Sequence, residues 1–188
     1  MSLPGEHSKS EWVDGSNLTT IPELHSKLGM KPSHHHNPEL IHEEEEILQH
    51  YKDWIAFNTK EFTNKSKGKD FYDLPDVMYF DMMKQTPRGH FGHHFDHIDP
   101  YYDDAHLAYK DLEIVATSKD SGYATAVQRY YGTGTDGREF SFTCRITSLL
   151  KKVEGRWKWV HEHVSFPVDL STKMGDYTCG TGTSGKPA

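Results

Sequence analysis

Near the C-terminal end, the segment Arg156–Phe166 sets Trp157, Trp159, His161, His163 and Ser165 at alternate positions. A regular strand puts these five on one face and Lys158, Val160, Glu162 and Val164 on the other. Two indoles, two imidazoles and a hydroxyl are what a mostly apolar pocket with a few polar groups needs. An imidazole with a pKa of about 6.5 both takes and gives a proton near neutrality. That suits isomerisation, dehydration or aldol-type cyclisation, with His163 as base and His161 polarising an oxygen. The competing reading keeps the tryptophans in the core and the histidines on backbone groups or at a dimer interface.

Asp81 interrupts the apolar run Val77–Met83, on the same strand face as Val77 and Tyr79. A carboxylate among such neighbours is costly to bury without a partner, which makes it a second candidate base; the alternative is a strand-end residue facing water. Tyr51 and Tyr79 are candidate donors to a developing enolate oxygen, and Trp54 shares the apolar helix face of Tyr51. Arg129 and Arg145 lie within strands, where each could bind a carboxylate or form a surface ion pair. In His90–Ile98, helical spacing gives a Phe91, Phe95 and Ile98 stripe beside a His90, His94 and His97 stripe. The histidines then sit at the edge of the core, at a pocket mouth or in solvent. His161 and His163, with one more ligand from that segment or from Asp81, could complete an open metal site, but no HExxH or His/Cys pattern is present. The leading reading needs neither metal nor cofactor. His34, His35 and His36 read as a polar linker.

The elements that position these residues follow from periodicity. Asn37 is a favourable N-cap before Pro38 and Glu39, and Ile47, Leu48, Tyr51, Trp54, Ile55, Asn58 and Phe62 recur on one helical face. The charge run Glu43–Glu46 reads as a solvated first half of that helix. A short strand over Val77–Met83 and a helical piece after Gly89 follow. Four long strands then run over Leu107–Thr117, Tyr123–Thr133, Phe140–Val153 and Arg156–Phe166, punctuated by Ser121-Gly122, Asp136-Gly137 and Glu154-Gly155. Such a meander twists and curls. Wrapped around the helix, it encloses a hollow. The expected organisation is a partly irregular N-terminal extension over 1–36, an α+β domain over 37–168 and a flexible Gly/Thr/Ser tail over 169–188.

The 188 residues carry a net charge of −7 with only 35% hydrophobic residues. The charge argues against nucleic-acid binding, and no apolar run is long enough to cross a bilayer. Two cysteines, Cys144 and Cys179, suit a reducing compartment, and a cytoplasmic location is expected.

The run Ser121–Pro167 resembles the SnoaL-like branch of the nuclear transport factor 2-like (cystatin-like α+β) superfamily. The Asp136-Gly137 hairpin, the Arg145-x-Thr147 pair and the closing segment Gly155–Ser165, with Pro167 two residues on, carry the resemblance. It extends over about Asn37 to Asp169. It implies a curved, mostly antiparallel sheet wrapped around helices as a cone-shaped barrel with an internal pocket, commonly a homodimer through its sheet. Relatives include polyketide cyclases, ketosteroid isomerases, dehydratases and non-catalytic association modules, mostly working without metal. The N-terminal extension and the histidine-rich segment after Gly89 depart from the pattern. Fold and residues together predict a pocket for a small molecule and acid–base chemistry on an apolar or aromatic carbonyl compound. The alternatives are a ligand-binding or dimerisation module and a metal enzyme using His161 and His163.

Overall fold

A computed structural model describes residues 10–60, 68–82, 85–94 and 101–181. Four strands dominate: β4 (Tyr102–Ser118), β5 (Ser121–Gly134), β6 (Glu139–Val153) and β7 (Arg156–Ser165). With β1 (Trp12–Val13), β2 (Met78–Phe80) and β3 (Gln85–Thr86) they form a seven-stranded sheet in the order β1-β4-β5-β6-β7-β2-β3. Every pairing is antiparallel except β2 against β7. The sheet is mixed, curved and unclosed, and helix α2 (Ile41–Lys60) packs on its inner face.

Asn37 does cap the helical segment: its Oδ1 accepts from Glu39 N, and a 3-10 turn over Pro38–Leu40 leads into α2. Ile47, Leu48, Tyr51 and Ile55 are buried against Tyr109, Leu112, Ile114 and Trp159. Phe62, expected on the same face, lies outside the described residues. The acidic run at the start of α2 is not the solvated face expected. Glu43 and Glu44 are buried, Glu45 Oε1 accepts from Ile21 N, and Glu46 accepts from Lys152 Nζ and the Trp157 indole. The N-terminal segment supplies the first of these partners.

That segment is built into the fold. β1 pairs with β4, and α1 (Ile21–Ser26) is capped by Thr20 and buries Ile21 and Leu24. Val13 and Leu18 join the same core. At the other end, residues expected to be loose return to the sheet. β8 (Val168–Asp169) pairs with β9 (Met174–Gly175), Thr143 N donates to Tyr177 O, and the Cys179 thiol donates to Thr143 O. Specific hydrogen bonds there offset what the composition lacks in apolar surface. Residues 182–188 lie outside the described residues.

One close approach fixes the β4–β5 pairing. A Cβ at Gly132 would fall 2.0 Å from Asp104 O, so only glycine lets the two backbones meet there.

Candidate functional site

The inner face of β7 is not the one that simple alternation predicts. In the β6–β7 ladder Leu150 pairs with Trp159, and Leu149 pairs with His161, which leaves Val160 as an extra residue in a bulge. One inserted residue reverses the parity of everything beyond it. Trp157 and Trp159 face the core, and so do Glu162 and Val164. His161, His163 and Ser165 share the outer face with their partners Leu149, Thr147 and Arg145. The expectation that the two imidazoles and the tryptophans share a face therefore fails.

The residue that takes their place is Glu162, which is 3% exposed. Ser148 Oγ donates to its Oε1 at 2.7 Å, and Tyr72 Oη donates to its Oε2 at 3.1 Å. Burial raises its pKa to about 7, because the charged form loses hydration that two hydrogen bonds only partly restore; nearby Asp81 pushes the same way. β2 runs parallel beside it with Tyr79 in register with Glu162. Tyr72 arrives through an isolated bridge to Trp159.

Glu162 opens onto a cavity of about 80 Å³, several times what one water needs. Asp81, His94, Asn58, Gln128 and the hydroxyl-bearing Tyr72, Tyr79, Tyr102 and Tyr130 supply its polar lining. Trp54, Met82, Leu107, Phe142, Ile146 and Val164 supply the apolar part. His94 Nδ1 lies 3.8 Å from Asp81 Oδ2, both side chains being almost fully buried. The His94 ring stacks on Phe91 and meets Tyr79 edge-on. The Asp81 Oδ1 also accepts from Met82 N at 2.6 Å. Burial holds the tyrosine hydroxyls protonated: Tyr102 is pushed up to about 12, and Tyr72, Tyr79 and Tyr130 are also raised. They are therefore hydrogen-bond donors at any working pH.

Of the residues singled out from sequence, Asp81, Tyr79, Trp54 and His94 line this cavity. Tyr51 lies behind it, buried edge-on against Tyr109 and Trp159, with its hydroxyl pKa raised by burial and by Glu162. Trp159 is core, ringed by His50, Tyr51, Trp54 and Tyr72. Trp157 points inward but binds Glu46 at the far end of α2. Arg129 belongs to the outer side, over the Tyr131 ring, with Nε donating to Ser141 Oγ. Arg145 donates to Phe166 O from the exposed surface. His161 donates Nδ1–H to Met78 O. The metal arrangement built on His161 and His163 is not assembled: among the described residues no ligand trio includes either one. After Gly89 only a short 3-10 turn over Phe91–His93 is present among the described residues. Phe95, His97 and Ile98 lie outside them.

Glu162 and Ser148 were missed, and one signal could have found Glu162. The apolar phase of the strand is odd at Trp157 and Trp159 but even at Val164 and Phe166. A phase change inside one strand marks a bulge.

Residues 95–169 match the family model of the SnoaL-like domain. No curated protein matches the chain. Among solved structures, an NTF2-like protein of unknown function from Pseudomonas putida KT2440 aligns at 21% identity and a TM-score of 0.61, over 72% of this chain and 94% of that one. A putative scytalone dehydratase from Novosphingobium aromaticivorans aligns at 11% identity and 0.59, over 75% and 95%. A putative calcium/calmodulin dependent protein kinase II association domain from Xanthomonas campestris aligns at 18% and 0.56, over 64% and 85%. With residues 95–169 matched by the SnoaL-like domain model across β4 to β7, and these solved structures aligned over 64–75% of the chain, the chain has the nuclear transport factor 2-like fold and resembles SnoaL-like domains in its C-terminal half.

Proposed function

We propose that the protein is a cofactor-free acid–base enzyme acting on a small apolar or aromatic carbonyl compound, as an isomerase, dehydratase or cyclase. The observation that carries this is Glu162, a fully buried carboxyl with a pKa of about 7 facing a cavity shared with the Asp81–His94 pair. Perturbed titratable groups converging on a mostly apolar pocket are the mark of proton-transfer sites. As carboxylate, Glu162 takes the proton from the carbon next to the carbonyl, and the electron pair moves onto the carbonyl oxygen as an enolate. A tyrosine hydroxyl held protonated by burial donates to that oxygen. The His94 imidazole, oriented by Asp81, returns a proton to the distal carbon in an isomerisation or to a departing hydroxyl in a dehydration. A putative scytalone dehydratase of the same fold accords with the latter.

The test is hydrogen–deuterium exchange at the α-carbon of a panel of small aryl and cyclic ketones in D2O, followed by proton NMR. Wild-type protein should accelerate exchange for some members. Glu162→Gln should lose at least about 100-fold of that acceleration, the usual weight of a general base. Exchange unaffected by Glu162→Gln, or none across the panel, refutes the reading.

Two copies are proposed to pair through the outer sheet face, where Thr125, Thr147 and His163 lie in one row and Leu149 is exposed beside His161. The fold's use in an association domain accords with this. Sedimentation should give a dimer for wild type and a monomer for Leu149→Arg; a monomeric wild type removes the proposal.

A further inference from the structure

Away from the cavity, where the N-terminal segment crosses α2 and β4, four titratable side chains from four parts of the chain converge. His25 comes from α1, His36 from the loop before α2, Glu44 from the first turn of α2 and Glu113 from β4. His36 Nδ1 lies 2.9 Å from Glu44 Oε1, and His36 Nε2 lies 3.2 Å from Glu113 Oε1. The His25 and His36 rings are 4.3 Å apart. One ligand atom each from His25, His36 and Glu44 falls within 4.8 Å of the others. We propose that His25, His36 and Glu44 bind a divalent transition-metal ion that fastens the N-terminal segment to the α+β domain.

Three features point to an ion rather than an ion pair. First, His25 Nε2 is buried with no hydrogen-bond partner. A protonated His36 bridging two carboxylates would satisfy His36, Glu44 and Glu113 but leave His25 unexplained, and buried polar atoms without partners are rare. Second, the ligand chemistry fits: two imidazole nitrogens and a carboxylate oxygen suit zinc and its neighbours, with a fourth position open to water. Bonds of about 2.0–2.1 Å place tetrahedral ligand atoms roughly 3.3 Å apart. The His36–Glu44 separation is already slightly shorter, so the ion enters by parting that pair and drawing in His25. Third, the outer shell exists. With Nδ1 on the metal, His36 donates Nε2–H to Glu113, the carboxylate–imidazole–metal relay that orients bound histidines. Glu113 Oε1 is itself held by Ser33 N at 2.6 Å, and Glu44 Oε1 by Ala116 N at 3.2 Å. A dication also neutralises the two carboxylates.

The adjacent His34 and His35 are exposed, with their rings tilted 4.1 Å apart, which supplies an internal control against chance binding to a histidine run. The experiment uses untagged, chelator-washed full-length protein titrated with zinc chloride by calorimetry, metal per chain by mass spectrometry, and cobalt(II) substitution read by its visible absorption. Wild type should bind one equivalent, and cobalt should give the intense bands of a low-coordinate site. His25→Ala and Glu44→Gln should each weaken zinc binding at least tenfold, and Glu113→Gln by about tenfold or more. The His34→Ala/His35→Ala double variant should bind as wild type. Zinc should also slow proteolysis within residues 10–36 of wild type but not of His25→Ala, whose fold is checked by circular dichroism. No stoichiometric binding, or binding that persists in His25→Ala and Glu44→Gln and vanishes in the double variant, overturns the site.

Discussion

Replacing Glu162 by Gln should raise stability at neutral and alkaline pH while abolishing proton transfer. The carboxyl pKa is about 7 in the folded protein against an ordinary value of 4.5. Between those values the folded state holds a proton that the unfolded state has released, so the stability from this group is full below pH 4.5 and falls as pH rises through 7. A difference of about 2.5 units at about 1.4 kcal/mol per unit is a cost of roughly 3 kcal/mol above pH 7. The substituted glutamine carries no charge at any pH. Its amide can accept from Ser148 or Tyr72, and either hydroxyl can turn to accept in return, for a residual mismatch of about 1 kcal/mol. Urea unfolding at pH 5 and pH 8 for both proteins isolates the effect, because all other titrations cancel in the difference. The variant should be similar or slightly weaker than wild type at pH 5 and more stable by about 2 kcal/mol at pH 8. An equal gap at the two pH values would refute the claim that Glu162 is buried with a raised pKa.

His50 opposes this trend: burial among Trp159, Phe71 and Tyr51 depresses its pKa to about 3. It is folded neutral, so its contribution is present above pH 6.5 and lost as pH falls toward 3; His50→Leu should remove several kcal/mol of acid lability, read as a flatter stability profile between pH 4 and 6.5. Gly132→Ala should destabilise by more than about 2 kcal/mol in urea, since the new methyl would meet Asp104 O and β4 would have to part from β5; a loss under 0.5 kcal/mol would contradict that close approach. Tyr72→Phe removes a donor to the Glu162 carboxylate and should push its pKa up further by about one unit, from a charged hydrogen bond of about 1.5 kcal/mol; carboxyl carbon-13 NMR reads the shift, and an unchanged value would place Tyr72 outside that bond.

The long strands and α2 were legible because periodicity and turn chemistry are local: Asp136-Gly137, Glu154-Gly155 and the Asn37 cap need no partner to declare themselves. Their observed bounds differ only by residues at the ends. Asp81 and His94 were visible as polar residues in apolar company. What sequence did not disclose came from packing. Glu43–Glu46 looks like a solvent face until β6 brings Lys152 and α1 brings Ile21 to it. The N-terminal segment looks irregular because its apolar residues are few, yet Val13, Leu18, Ile21 and Leu24 each reach the common core. Ser148 has no distinguishing neighbours in sequence and matters only because Glu162 lies across the strand pair.

The bulge at Val160 shows how register, rather than residue type, sets the chemistry of this cavity. The same β7 residues on an unbroken strand from Trp159 would send two imidazoles inward and Glu162 to solvent. The site would then hold imidazoles in place of a carboxyl. With one extra residue, the imidazoles leave for the outer face, and a carboxyl enters a space where its charge is poorly solvated. Burial moves that carboxyl to neutrality, where an acid is both available as a base and able to return its proton. The inward Tyr79 keeps its hydroxyl for the same reason. A base and donors suited to enolate chemistry thus arise from one desolvated wall, and the bulge that turns Glu162 onto it is the structural element on which the proposed activity depends.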